Sequence, residues 1–141
     1  METGPWRAIV FGGLAAGIGD SLLALVLYRV PLPIIYQSIA AGLLGRDAYS
    51  GGLATAALGL FLHFFIATTA AAVYVSASRV VPLLARQPVP CGLGFGIAVY
   101  FFMKYVVLPL SAVTRLTPFD PAAMIGHALL VGLPIALFAR R

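Results

Sequence analysis

From Gly52 to Ser76 the chain contains no Asp, Glu, Lys or Arg. That uncharged run constrains the fold more than any other feature. A helix that is apolar all round is stable only inside a large core or in lipid, and about 20 mostly apolar residues suffice to cross a bilayer. A chain of 141 residues that is 62% hydrophobic and 9% charged cannot build the large core. Small folds have too much exterior, and soluble domains are about a quarter charged. Lipid must therefore be part of its solvent. Three further segments meet the same length and apolarity criterion: Ala8–Tyr28, Gly92–Leu110 and Pro121–Ala139. The first is too long for a signal-peptide core and carries Asp20, so it reads as a retained span. The sequence thus predicts an all-α polytopic membrane protein, one integral domain over residues 1–141, with spans at about 8–28, 52–76, 92–110 and 121–139.

The connections refine this. Pro31 and Pro33 break the first span. The stretch Ile34–Leu44 reads as a short helix stopped by Gly45, too short to cross, and so interfacial or re-entrant. It carries polar Gln37 and Ser38; an amphipathic connector explains it more simply than a pore element does. Asp120 can cap the last span, with Pro121 at the first helical position. Pro109 kinks or ends the third. With both termini in the cytoplasm, Arg7, Arg79, Arg86, Arg140 and Arg141 lie inside, and Arg29, Arg46 and Arg115 lie outside beside Asp47 and Asp120. The positive-inside rule favours that orientation, with the short helix on the outer face. The basic residues stand singly at segment ends, as headgroup anchors do, which argues against nucleic acid despite a net charge of +5.

Each span holds one ionisable residue: Asp20, His63, Lys104 and His127. A charge at mid-bilayer costs about 2.5–3.5 kcal/mol on insertion scales, so such groups turn inward and find partners. The spacing agrees. Gly12, Ala16 and Asp20 share a helix face, as do Gly59, His63 and Ala67, and Gly92, Gly96, Tyr100 and Lys104. Small residues are where membrane helices approach closely, and Gly13 and Gly17 add a GxxxG to the first span. In the last span Ala123, His127 and Val131 share a face. Asp20 and Lys104 carry opposite charge at similar depth and are expected to pair, directly or through water. His63 is expected to face the bundle, as a structural hydrogen-bonding group or as a proton site.

Two histidines on two spans also raise haem b ligation, which needs both rings at one depth. Counted from the helix starts, they are offset by roughly 9 Å, which disfavours it and leaves a haem b-binding membrane subunit as the minor alternative. A zinc site from Asp20, His63 and His127 lacks any HxxxH or HExxH spacing. No metal site, cofactor or catalytic constellation is expected, and the chain is read as a non-enzyme. Gly92, Gly94 and Gly96 lie inside a span and read as helix packing rather than a nucleotide loop. A charge-then-histidine order in each half suggests an internal duplication.

The segments LHFFIATTAAAVY, RVVPLL, GLGFGIAVYFFMKYVVLPLSAVTRLTPFD and IGHALLVG resemble the YagU-like family of small bacterial inner-membrane proteins. The shared features are His63, Tyr74, Pro82, Gly92, Pro109 with Leu110, the Leu116-Thr117-Pro118 turn, and Gly126 with His127. They cover about the last three spans, and Lys104 has no counterpart. The resemblance implies a bacterial inner (cytoplasmic) membrane location and, through the family's association with acid resistance, a proton-responsive role. The leading expectation is a non-enzymatic inner-membrane protein responsive to protons through Asp20, His63, Lys104 and His127. The alternative is an accessory or assembly subunit whose exposed small-residue stripes dock onto a larger complex. The lipid bilayer is the one partner implied outright; a homo-oligomer would be needed for transport.

Overall fold

The structure, a computed structural model, describes residues 4–113 and 117–140. Arg115 and Arg141, counted in the charge asymmetry, and Leu116 of the Leu116-Thr117-Pro118 turn lie outside the described residues. Four helices are long and apolar enough to cross a membrane: α1 (Pro5–Tyr28), α3 (Gly52–Val80), α5 (Pro88–Leu110) and α6 (Pro121–Ala139). Two short helices link them, α2 (Leu32–Leu44) and α4 (Pro82–Arg86), with a 3₁₀ turn at Gly45–Ser50.

The helix ends follow local chemistry. Arg29 closes α1 in the left-handed region at φ 53°, its N–H donating to Leu25 O. Pro31 then precedes α2. Gly45 ends α2 with φ 67°, a conformation that a side chain would strain. Asp120 accepts from the Ala122 and Ala123 amides at 3.0 and 3.2 Å, with Pro121 next to it. This satisfies donors that the first turn leaves free.

Two prolines inside helices leave a common mark. Met103–Val107 and Ala128–Gly132 are π-helical, each just before a proline turn. Pro109 and Pro134 lack the N–H that would bond four residues back, and each ring clashes with the carbonyl there. The chain answers by widening one turn. The Leu108 N–H reaches back five residues to Met103 O, and the Leu133 N–H to Ala128 O. So Pro109 does not end α5 at once; the helix runs on to Leu110.

Glycines set how the helices pack. α6 lies between α1 and α5, while α3 packs on α1 and carries α2 on its outer side. A Cβ on Gly132 would collide with the Gly92 and Gly96 backbones, and one on Gly96 with the His127 carbonyl. Gly59 passes directly beneath the Tyr36 carbonyl of α2. Gly13 and Gly17 sit against Thr68 and Phe64 of α3, and Gly12 lies over Ile135 and Ala71. The small-residue faces therefore meet one another inside the bundle. Between them, towards the Pro5 end, Ala16, Ala71, Tyr74, Ile135 and Ala136 form a closed apolar core.

Candidate functional site

Asp20, His63 and His127 converge from α1, α3 and α6. His127 Nε2 stands 3.4 Å from Asp20 Oδ1, and His63 Nδ1 stands 3.9 Å from Asp20 Oδ2. The three side chains are 27%, 11% and 19% exposed, so the cluster is shielded without being sealed.

The remaining nitrogen of each ring fixes its hydrogen. His127 Nδ1 lies 2.8 Å from Ala123 O. His63 Nε2 lies 2.8 Å from Gly17 O and 3.1 Å from Ser21 Oγ. A carbonyl oxygen only accepts, so both of these nitrogens carry hydrogen. In the neutral ring the other nitrogen is then a bare lone pair. Those two lone pairs are the ones turned towards Asp20. An ionised Asp20 therefore receives no hydrogen from either neutral ring. One proton, on Asp20 or on His127, converts the 3.4 Å contact into a charge-assisted or neutral hydrogen bond and makes the trio electrically neutral.

A second layer holds the rings. Ser21 Oγ donates to Gly17 O at 2.9 Å, and Tyr36 of α2 meets Ser21 Oγ at 3.0 Å. Phe64 stands edge-on to His63, and Tyr100 stands edge-on to His127 at 5.6 Å. Gly96 sets the α6 backbone at His127. Sequence reasoning missed Ser21 and Tyr36. A polar residue next to Asp20 in an apolar run was the available signal for Ser21; for Tyr36 only its neighbour Gln37 hinted that α2 faces protein. Gln37 itself donates to Gly52 O at 2.9 Å and ties α2 to the start of α3.

Lys104 makes no direct ion pair with Asp20. Its ammonium, 6% exposed, donates to the Thr117 carbonyl and, at 2.7 Å, to Pro118 O. Among the described residues the ionic contacts of Asp20 are to the two histidines. The carbonyls of Thr117 and Pro118, in the α5–α6 connection, hold Lys104 instead. One carboxylate lies beside both rings, with a different oxygen towards each.

Three cavities meet here. A vestibule of about 510 Å³ is lined by Tyr28, Tyr100, Lys104, Asp120 and His127. A cavity of about 170 Å³ joins His127 to Asp20, Ser21 and His63 on the α2 side. Another, of about 150 Å³, touches the same three ionisable residues on the α5 side. Neither inner cavity has room for a porphyrin, and Asp20 occupies the place between the rings where iron would sit. Among the described residues no group of His, Cys, Asp and Glu is placed to hold a metal ion.

No protein-family model, curated protein or solved structure matches the chain.

Proposed function

We propose that this chain is a non-enzymatic, multi-pass protein of the bacterial inner membrane, and that its Asp20–His63–His127 cluster takes up and releases a proton. The observation that carries this reading is the hydrogen assignment: both rings spend one N–H on a backbone carbonyl and turn their lone pairs to one carboxylate. Histidine exchanges protons in the physiological range more readily than any other unperturbed side chain, and ionisable groups at membrane depth are functional candidates by default. In this reading both termini are cytoplasmic, α2 lies at the outer face, and the vestibule at the Tyr28–Pro121 end supplies protons through His127. The resemblance to the YagU-like family points the same way.

An accessory or assembly subunit remains the alternative reading, although Gly12, Gly13, Gly17, Gly59, Gly92 and Gly96 are occupied within the bundle. The test is infrared difference spectroscopy of the protein in vesicles across a pH step. The expected result is a carboxylic acid band that appears on acidification, vanishes in Asp20→Asn and shifts in His127→Gln. A spectrum with no titrating band dependent on Asp20 or His127 would sink the reading.

A further inference from the structure

Asp20 meets its two histidines unequally. His127 Nε2 lies 3.4 Å from one carboxylate oxygen, and His63 Nδ1 lies 3.9 Å from the other. A single proton makes a bond of the first contact. The second is too long for a direct hydrogen bond, with or without a proton. The hydrogen bonds of the His63 ring run through Nε2, to Gly17 O and Ser21 Oγ. In the neutral ring Nδ1 is therefore an acceptor turned towards another acceptor. Both residues border open space, the cavity of about 170 Å³ on the α2 side and that of about 150 Å³ on the α5 side. Elsewhere the polar interior is closed: among the described residues, every fully buried side-chain nitrogen or oxygen has a hydrogen-bond partner.

We propose that a water molecule is bound between His63 Nδ1 and Asp20 Oδ2 and donates one hydrogen to each. The hydrogen count selects it. Two facing acceptors need two hydrogens, and the serines of the cavity wall have none to spare: Ser21 spends its hydrogen on Gly17 O and Ser38 on Ile35 O. A hydrocarbon chain offers no donor, and an alcohol or an acid offers one. The spacing agrees. An oxygen about 2.7–3.0 Å from both atoms sees them, 3.9 Å apart, at about 80–90°, close to the opening of the two O–H bonds of water. One water needs only about 10–15 Å³ and two to four polar partners. Either cavity exceeds that volume, and Asp20, His63 and His127 line both.

This inference rests on the proposed reading of Asp20, His63 and His127 as one exchangeable site, and it supplies what holds that site when the proton is gone. Neither neutral ring then offers Asp20 a hydrogen. The water offers one, and satisfies His63 with the other. The two histidines thereby take different parts: His127 shares the proton with Asp20 directly, and His63 reaches the carboxylate through the water.

The experiment is water-edited solid-state NMR of the isotope-labelled full chain in phosphatidylcholine vesicles, at a pH where the Asp20 carboxylic acid band is absent. Polarisation from water hydrogens is expected to reach the His63 ring well ahead of Ala71 and Ile135, which lie in the closed core. His63 Nδ1 is expected to resonate as a hydrogen-bonded acceptor that carries no hydrogen of its own. Transfer to His63 no faster than to Ala71 overturns the inference, and so does a hydrogen found on Nδ1. Ala24→Leu and Ala70→Leu fill the two cavities from partly buried positions on their walls and alter no residue of the cluster. Together they should abolish the early transfer and return Nδ1 to the signal of a bare acceptor. Early transfer that persists in the double variant places the water elsewhere and overturns the inference as well. The infrared pH step separates the two readings. A dry His63 with the titrating Asp20 band present refutes only the water; absence of that band in wild type refutes the proton reading, while the NMR result still decides the water.

Discussion

Lys104 and Asp20 make the sharpest energetic test of this arrangement. The Lys104 ammonium donates to two backbone carbonyls, Thr117 O and Pro118 O. Hydrogen bonds to a charged group contribute about 1.5–3 kcal/mol each, and burying the ammonium offsets several kcal/mol of that. Lys104→Met should therefore destabilise the fold by about 1–3 kcal/mol, mostly by freeing the connection before Asp120. Asp20→Asn should cost about 1 kcal/mol, because an amide can still donate to the His127 lone pair. If Asp20 and Lys104 were a buried ion pair, removing one partner would cost about 3–5 kcal/mol and the double mutant would recover much of it. Here the two effects should add to within about 0.5 kcal/mol. The Asp20→Asn and His127→Gln cycle is the positive control: with atoms 3.4 Å apart, it should show a coupling of about 0.5–3 kcal/mol. Reversible unfolding in mixed detergent micelles, followed by far-UV circular dichroism, measures all of these. An Asp20–Lys104 coupling as large as that of Asp20–His127 would refute the assignment of Lys104 to the connection.

Two further outcomes are open to direct measurement. Gly96→Ala places a methyl group on the His127 carbonyl, so it should destabilise by about 1–3 kcal/mol and shift the His127 imidazole NMR signals, while Gly94→Ala, which points into open space, should change stability by less than about 0.5 kcal/mol. In a Cys91→Ala background, Ala123→Cys at the vestibule should react with a membrane-impermeant thiol reagent from the Asp120 side only, and Ile135→Cys in the closed core from neither side; reaction of Ala123→Cys from the Arg86 side would contradict the described access.

The four long helices were legible because apolar length and the absence of charge read out directly. Their ends were less so. α1 begins at Pro5 rather than Ala8, α3 runs past Ser76 to Val80, and α5 begins at Pro88 rather than Gly92. Hydropathy falls at Arg79, Pro88 and Pro90, but backbone bonding does not stop for a charge, and proline is welcome in a first turn. The inward faces were legible through four-residue spacing. The pairing of charges was not, because opposite sign on two spans says nothing about the carbonyls of a connection. The relative depth of the histidines was read only by counting from helix starts. Counting from helix starts assumes that α3 and α6 begin at one level. α3 has about five more residues before its histidine, and those turns are sheathed by α2 and the Gly45–Ser50 turn, through the Gln37–Gly52 and Thr55–Ala48 bonds.

That asymmetry bears on what a proton at Asp20 could do. Asp20 is about 12 Å of helix from Tyr28 but about 22 Å from Pro5, at 1.5 Å per residue. Over the shorter distance the wall carries Tyr28, Tyr100, Lys104, Asp120 and His127, around open space. Over the longer one the facing residues are Ala8, Ala16, Ala71, Ile135 and Ala136, close-packed and without a titratable group among them. Tyr74, the polar exception in that core, spends its hydroxyl on Leu84 O at 2.9 Å. A relay needs donors and acceptors within hydrogen-bond reach of one another, and in this half the buried Tyr74 and Ser78 hydroxyls are each spent on a helix carbonyl, Leu84 O and Val75 O. On the proposed reading, then, a proton that enters through His127 leaves by the same route. On that reading the cluster would register the protonation state on the Tyr28–Pro121 side alone. Conduction would require the Ala71–Ile135 core, on which Gly12 of α1 packs, to open.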